Sequence, residues 1–211
     1  MGAGAGLLVF NGRDGEFRAT IAEASRKACG LLVAEPTRPQ AAAPDVHLMF
    51  APLKHARLDY MVQKAVEMGA GALRPVLTRR TQATRLNLER MAANVVEACE
   101  QCGVIAVPET RAPERLDTVL AAWARDDAGR RLVFCDEAAP PGGPIAALER
   151  LGPGPLAVLV GPEGGFAPEE RAALSRLPAT TAISLGPRIL RADTAAVAAL
   201  AVVQAALGDW R

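Results

Sequence analysis

Two segments in the last third of the chain combine residue types that suit ligand binding. The first, GPEGGF, begins at Gly161 and holds three glycines among six residues, directly after the apolar run Leu156–Val160. Glycine lets a backbone approach a ligand closely and adopt positive φ angles. The segment has neither the G-x-G-x-x-G spacing of dinucleotide folds nor the Gly-Lys-Ser/Thr of a P-loop. Its pattern fits a ligand-binding loop and an ordinary strand-to-helix turn equally well.

The second segment, GPRILRADT, begins at Gly186 and places two arginines, an aspartate and a threonine between an apolar strand candidate and an apolar helix candidate. A charged side chain among apolar elements costs free energy unless it is paired with an opposite charge or binds a ligand. A ligand-contacting loop is one interpretation. The other is a capping network, in which Asp193 stabilises the first turn of the next helix beside an arginine.

Basic side chains are concentrated between Lys54 and Arg90. The chain carries a formal net charge of only +1, yet this stretch has eight basic residues against three acidic ones. The basic residues are Lys54, Arg57, Lys64, Arg74, Arg79, Arg80, Arg85 and Arg90. Such a patch is typical of phosphate binding in nucleic acids, and a solvated surface is the alternative.

Cysteine and histidine do not form a recognisable metal or redox site. Cys99 and Cys102 make a CxxC, but neither a second such pair nor a histidine pair follows at metal-ligand spacing. His47 and His55 also lack partners at that spacing. We therefore expect reduced thiols that share one face of a helix, and no bound metal.

The elements that must position these segments follow from the apolar pattern. After residue 45, strand candidates alternate with helical spacing. Strands are predicted at residues 46–50, 73–76, 104–107, 132–135, 156–160 and 182–185, and helices at residues 58–68, 86–101, 114–123, 168–177 and 192–207. This alternation predicts an α/β fold, a parallel sheet with helices on both faces. Ligands bind at the carboxyl ends of the strands in such sheets, where GPEGGF and GPRILRADT both fall.

The chain before residue 46 has a different character. Residues 7–10, 17–22 and 31–34 are predicted strands separated by Asn-Gly and Asp-Gly turn signals. Residues 35–45, with three prolines and an alanine run, have the composition of a linker. We therefore predict two domains, at residues 1–40 and 45–211.

Composition agrees with a compact globular protein. The chain has 211 residues, of which 50% are hydrophobic and 22% charged, enough apolar material for a sizeable core. The first ten residues do not form a secretory signal, and residues 195–207 are too few to span a membrane. We expect a cytoplasmic protein without a membrane segment.

Longer phrases of the sequence resemble one family. LVGPEGGFAPEE and SLGPRILRADTAAVAAL, with KHARLDYMVQKAVEMGAGALRPVLTRRTQATRLNLERMAANVVEACEQCG, are similar to the RsmE-type 16S ribosomal RNA uridine-N3 methyltransferases of the SPOUT class. The resemblance extends from about Leu7 to Leu207. It implies a trefoil-knotted parallel sheet, a homodimer, and a small PUA-like β-barrel at the N-terminus.

The resemblance also implies a reaction and a cofactor. The reaction is methylation of uridine N3 in the 16S rRNA of the small ribosomal subunit, with S-adenosyl-L-methionine (SAM) bound in the knot. The implied SAM-binding residues are Leu159, Val160, Gly161, Pro162, Glu163, Gly164, Leu185, Gly186, Ile189, Leu190 and Thr194. The implied RNA contacts are Lys64, Arg79, Arg80, Thr81 and Arg85.

Two side chains beside the implied SAM site are candidate catalytic residues. Uracil N3 lies on the Watson–Crick edge, so the target base must be unpaired or flipped out of its stack. Glu163 is placed to accept the N3 proton or to orient the base, and Arg191 to stabilise negative charge on a uracil carbonyl. A loop-ordering hydrogen bond is the alternative role of Glu163.

The sequence departs from the family at two points. Family members begin with a further N-terminal stretch that carries Arg and His, so we expect only a partial barrel and weaker RNA affinity here. Val104 stands where they often carry Arg. The alternative functions are a related SPOUT methyltransferase acting on tRNA or on a ribose 2′-OH, and a non-catalytic RNA-binding ribosome-assembly factor. Pro162 and the phrase LRADT favour the uridine enzyme over the first, and the glycine loop favours an enzyme over the second.

Overall fold

The computed structural model describes residues 2–83, 85–139 and 143–210, with every side chain in them except that of His55. The chain forms two units. One extends up to Ala43 and also includes Cys99–Val107, and the other comprises Pro44–Ala98 and the chain from Pro108 onward.

The smaller unit contains an antiparallel sheet in the order β1 (Gly6–Phe10), β2 (Glu16–Ala24), β3 (Cys29–Arg38). The three predicted strands are confirmed, but β3 continues through residues 35–38, which we had predicted as linker. Side-chain contacts explain the extension. Arg38 Nη2 donates to Glu16 Oε2 at 2.5 Å, and Thr37 Oγ1 donates to Glu16 Oε1 at 2.7 Å.

The strand predicted at residues 104–107 is wrong. Gly103 adopts a φ of 72° and Val104 N donates to Cys99 O at 3.1 Å, so the preceding helix ends there in a turn. Ile105 and Ala106 are nonetheless buried. Their apolar character reflects packing in the smaller unit rather than strand pairing.

The larger unit is built on a parallel sheet, as predicted. Its strands are β4 (Val46–Phe50), β5 (Ala72–Leu77), β6 (Glu109–Thr110), β7 (Glu114–Arg115), β8 (Arg131–Cys135), β9 (Leu156–Val160) and β10 (Thr180–Ile183). Their order is β10-β8-β9-β4-β5-β6, with β7 also paired to β5, and every pairing is parallel.

The helices of the described residues are α1 (His55–Glu67), α2 (Leu88–Cys102), α3 (Leu116–Asp126), α4 (Pro144–Leu151), α5 (Pro168–Arg176) and α6 (Ala192–Leu207). The predicted helices are confirmed within a few residues, except that Glu114 begins a short strand. The sequence prediction missed α4, which Pro144 opens at a position where its missing N–H costs nothing. In the part of the chain that the structure describes, no helix is both long and apolar enough to span a membrane.

Both faces of the sheet are covered. Every residue of β9 is at most 3% exposed. Since alternate side chains of a strand point to opposite faces, such burial requires packing on both sides. The helix α6 contacts both α1 and α4, and α3 contacts α5.

The parallel register sets the position of every candidate site. Because β8, β9 and β10 run in one direction, their carboxyl ends lie at the same edge of the sheet. The loops that follow begin at Asp136, Gly161 and Ser184. β4 and β5 end at this edge too and are followed by Ala51 and Thr78.

A buried ionic cluster joins β5 to the loop between α3 and β8. Arg74 Nη1 donates to Asp127 Oδ1 at 2.7 Å, and Arg130 Nε donates to the same oxygen at 3.0 Å. The Arg74 guanidinium also lies 5.8 Å from the ring centroid of Trp123. Burial, with the charges of Arg130 and Arg74 nearby, lowers the pKa of His47 to about 4. The imidazole is therefore neutral at neutral pH and adds no further positive charge to the cluster.

The cluster predicts a large stability loss in Asp127→Ala. That change leaves the guanidinium of Arg74 buried beside a neutral imidazole without its carboxylate, which should lower the free energy of unfolding by about 3–5 kcal/mol. Urea unfolding at pH 7 measures it. The matched control is Asp126→Ala, the neighbouring residue, whose ion pair with Arg125 is exposed and whose loss should matter little. Equal effects of the two changes would show that Asp127 does not neutralise a desolvated charge.

Candidate active site

The loops after β8, β9 and β10 enclose a cavity of about 110 Å³ together with the start of α6. Its wall is built from three separate turns of the chain. The lining residues are Cys135, Asp136, Glu137, Val160, Gly161, Pro162, Glu163, Gly165, Phe166, Arg171, Ser184, Leu185, Gly186, Arg188, Ile189, Leu190, Ala192 and Ala195.

Glycines shape the first loop through local packing. A Cβ on Gly161 would lie 2.9 Å from the ring of Phe166, which is buried and packs edge-on to Phe134 at 6.0 Å between centroids. Gly165 adopts a φ of 68° and its N–H donates to Pro162 O at 2.8 Å. The segment is thus a tight strand-to-helix turn, and this turn also forms one wall of the cavity.

The second loop is exposed and has little regular structure. Ser184 Oγ accepts the N–H of Gly186 at 3.3 Å, and Ile189 projects with 88% of its surface exposed although it lines the cavity. Asp193 Oδ1 accepts the N–H of Thr194 at 2.9 Å, a contact at the start of α6 as the capping interpretation predicts, but made without an arginine.

A charged wall after β8 was not predicted. Arg171 of α5 donates to Asp136 Oδ1 at 2.8 Å, and Arg171 Nε is buried with no hydrogen-bond partner among the described residues. Glu137 lines the same wall. Burial raises the pKa of Cys135 to about 12, so it remains a thiol. The same rule that singled out the other two loops, a charged segment at a strand's carboxyl end, could have found this one.

Most of the predicted SAM-binding residues meet at this cavity. They are Val160, Gly161, Pro162, Glu163, Leu185, Gly186, Ile189 and Leu190. Three others lie outside its lining: Leu159 is fully buried in the core, Gly164 is on the exposed side of its loop, and Thr194 is exposed on α6.

The two candidate catalytic residues are placed differently. Glu163 lines the cavity and accepts a hydrogen bond from Arg57 of α1, with about half of each side chain exposed. Arg191 is the N-cap residue of α6, where it is exposed and lies outside the cavity lining.

A second cavity, of about 450 Å³, lies on the other side of the glycine loop. Pro162 and Glu163 line both cavities. The remaining wall comes from the loop after β4, the start of α1 and the loop after β5: Pro52, Leu53, Lys54, Ala56, Arg57, Gln82 and Ala83. Spacing in the sequence does not reveal this cavity, because its walls come from three separate stretches of chain, residues 52–57, 82–83 and 162–163.

Part of the predicted RNA surface sits at the same edge. Arg80 Nη1 donates to Gly164 O at 2.5 Å, and the N–H of Arg79 donates to Glu170 Oε1 at 2.7 Å. Thr81 Oγ1 accepts the N–H of Thr78 at 2.8 Å and so orders the loop. These contacts tie the basic loop after β5 to the glycine loop.

Most basic residues of the stretch already have an acidic partner, including Arg79, whose Nη1 lies 3.7 Å from Glu169 Oε2. Lys64 donates to Glu67 on α1 at 2.7 Å, Arg90 pairs with Asp59, and Arg74 is buried in its ionic cluster. Arg85 is exposed. Residue counting therefore overstates the free positive charge.

The residues that the structure describes contain no group of three or more His, Cys, Asp or Glu side chains that could hold a metal ion. Two acidic groups at the cavities, Asp136 and Glu163, are instead paired with arginines.

The chain is similar to known RNA methyltransferases in sequence. A family model described as an RNA methyltransferase domain matches residues 40–204. The ribosomal RNA small subunit methyltransferase E of Rickettsia conorii is 30% identical over 200 residues, which cover 94% of this chain and 80% of the relative.

Solved structures agree in fold. A putative methyltransferase from Legionella pneumophila, in complex with the bound cofactor SAM, superposes with a TM-score of 0.85 at 31% identity, covering 98% of this chain and 85% of that one. The ribosomal RNA small subunit methyltransferase E of Neisseria gonorrhoeae, bound to SAM, has a TM-score of 0.83 at 23% identity, over 99% and 86% of the two chains. Since the family match includes the principal strands of the parallel sheet and all three loops around the first cavity, the chain belongs to the RNA methyltransferase family.

Proposed function

We propose that this protein is a SAM-dependent methyltransferase that modifies uridine N3 in the 16S rRNA of the small ribosomal subunit. The observation that carries the proposal is the loop-walled cavity at the carboxyl edge of β8, β9 and β10, in a chain that belongs to the RNA methyltransferase family. The relatives named for small-subunit ribosomal RNA supply the substrate class.

The residues of the first cavity suit SAM chemically. Val160, Leu185 and Leu190 offer an apolar surface to an adenine ring, and the turns supply backbone N–H and C=O groups. Asp136 and Arg171 offer opposite charges to the ammonium and carboxylate of an amino-acid group. When bound, SAM supplies an electrophilic methyl group on a sulfonium. Leu159, Gly164 and Thr194 complete the proposed set.

The volume of the cavity implies a movement on binding. Its 110 Å³ is below the roughly 300–1,000 Å³ of sites for small organic ligands. Among the walls, the second loop is exposed at residues 186–189 and has no regular structure there. Ile189, exposed here, would be covered when that loop closes over the ligand.

Two side chains are proposed to act on the base. Glu163 stands between the two cavities, where its carboxylate can accept the N3 proton, and Arg191, at the end of the second loop, stabilises negative charge on a uracil carbonyl. The basic loop with Arg79, Arg80 and Thr81, helped by Lys64 and Arg85, holds RNA phosphates.

The finer architecture belongs to the same proposal. We propose a SPOUT-type trefoil knot within a methyltransferase domain at residues 45–211, after a partial PUA-like β-barrel at residues 1–40. The antiparallel sheet of the smaller unit supports the barrel. We further propose a homodimer that acts in the cytoplasm, where its ribosomal substrate is found.

The cavity predicts that Gly161→Ala loses cofactor binding. Its new methyl group would meet the Phe166 ring and displace the loop, so calorimetric titration should show S-adenosylhomocysteine affinity at least about tenfold weaker. The matched control is Gly143→Ala, where the space around a Cβ is open and φ is −60°. Failure of the unchanged protein to bind would instead favour a non-catalytic assembly factor.

Glu163→Gln and Arg191→Ala should lower the rate of methyl transfer to unmethylated small subunits by about 10²-fold or more. Both should keep S-adenosylhomocysteine affinity within a few-fold, and Glu149→Gln, an exposed change on α4, should leave both quantities unchanged. Nucleoside mass spectrometry identifies the product. N3-methyluridine supports the proposal, whereas a 2′-O-methylated nucleoside would redirect it to the ribose enzymes.

Arg79→Ala should weaken RNA binding and reduce its dependence on salt. Loss of one phosphate contact lowers the slope of log affinity against log salt by about one. Filter binding of small-subunit RNA at several salt concentrations measures the slope. Arg125→Ala, which removes another exposed, ion-paired arginine from α3, is the control, and an identical slope in both variants would exclude Arg79 from the interface.

A further inference from the structure

We infer that the second cavity receives the flipped target base, and that the Arg57–Glu163 pair recognises the imide edge of uracil there. This inference rests on the proposed methyltransferase function. It adds a substrate pocket and a base-recognising arginine that the loop sequences do not indicate.

The sheet order places this cavity beside the first. β9 lies between β8 and β4, so the loop after β9 separates the loops that follow those two strands. The first cavity lies on the β8 and β10 side of this loop, and the second on the β4 and β5 side. Pro162 and Glu163 are the residues common to both walls. The shortest path between a group bound in one cavity and a group bound in the other therefore passes Glu163 and its neighbours.

The size and the walls of the second cavity suit a nucleobase. Its volume of about 450 Å³ falls within the range of sites for small organic ligands. Pro52 and Leu53 are buried and form an apolar floor, on which a planar base can lie. Arg57 and Glu163, together with Lys54 and Gln82 of the same wall, supply the few convergent polar groups that fix the orientation of a ligand.

The ion pair complements uracil in particular. The Watson–Crick edge of uracil presents an N3–H donor between two carbonyl acceptors. The carboxylate of Glu163 accepts the N–H, and the guanidinium of Arg57 donates to a carbonyl. Because Arg has five N–H donors, it can contact the base while it keeps its bond to Glu163. Cytosine presents a lone pair at N3, which a carboxylate repels.

The same arrangement serves the transfer step. The N3–H bond breaks and its proton passes to the Glu163 carboxylate, while the nitrogen electron pair forms the bond to the methyl carbon. SAM, when bound, would supply the methyl carbon, and the electron pair of the broken sulfur–methyl bond would stay on its sulfur as a neutral thioether. Negative charge that shifts onto the uracil carbonyl during this step lies beside the Arg57 guanidinium, which stabilises it.

The ion pair itself contributes little to folding. About 41% of the Arg57 side chain and 48% of the Glu163 side chain are exposed, and pairs this exposed add little stability. Its position between two cavities is therefore better explained by ligand recognition than by stability. A substitution at Arg57 should therefore change ligand binding with little effect on stability.

The first experiment blocks the pocket. Ala56 is exposed at the start of α1 and belongs to the lining of the second cavity but not to that of the first. Ala56→Trp should lower kcat/KM on unmethylated small subunits by about 10²-fold or more, with S-adenosylhomocysteine affinity unchanged. Ala121→Trp, on the exposed side of α3, is the control for a surface tryptophan. Full activity of Ala56→Trp overturns the pocket, whereas absence of activity in the unchanged protein overturns the proposed function itself.

The second experiment tests base recognition without turnover. NMR titration of the full chain, saturated with S-adenosylhomocysteine, compares uridine 5′-monophosphate with cytidine 5′-monophosphate. The unchanged protein should prefer the uridine nucleotide by at least about tenfold, as sites that hydrogen-bond their ligand discriminate. Arg57→Ala should lose this preference, Arg57→Lys should regain part of it, and Arg115→Ala should keep it. Equal binding of both nucleotides, or no binding of either, by the unchanged protein would overturn the inference.

Discussion

β9 is paired along its whole length with β4, and from Leu156 to Leu159 with β8, always in parallel. The position of everything functional depends on this arrangement. In a parallel strand pair both carboxyl ends lie at one edge of the sheet. The turns after β8, β9 and β4 therefore lie close together although they are far apart in the sequence. Burial of β9 on both faces fixes its register, because a shift by one residue would exchange its two faces. The glycine loop is therefore held on a rigid support.

Charges at the edge are used for local order as well as for recognition. One carboxylate, that of Glu170, accepts the N–H of Ala167 and the N–H of Arg79, and so fixes the start of α5 and the basic loop together. Arg171 and Asp136 pair in one wall of the first cavity. Because opposite charges near the edge compensate one another, the site can be strongly polar while the chain as a whole is close to neutral.

Much of the fold could be predicted from the sequence, since long apolar runs such as Leu156–Val160 and Ala192–Leu207 leave few alternatives. Short or compensated features were less predictable. The helix α4 has only eight residues, and the buried Ile105 and Ala106 gave a strand pattern that packing alone explains. Arg74 belongs to the basic stretch that the sequence predicts to be a surface patch, whereas the fold buries its side chain against Asp127. The second cavity forms where loops from distant parts of the chain meet, so it cannot be predicted from the spacing of residues in the sequence.

The bond between Arg80 and the Gly164 carbonyl has a thermodynamic consequence. It joins a loop that faces solvent to a loop that faces the first cavity, so any ligand that moves Gly164 also changes the freedom of Arg80. Free energies of binding that share such an element are linked, and the linkage is reciprocal: if occupancy of one loop alters affinity at the other by some factor, the reverse effect has the same factor. The two ligands then behave as heterotropic effectors of one another, with no second conformation of the sheet required.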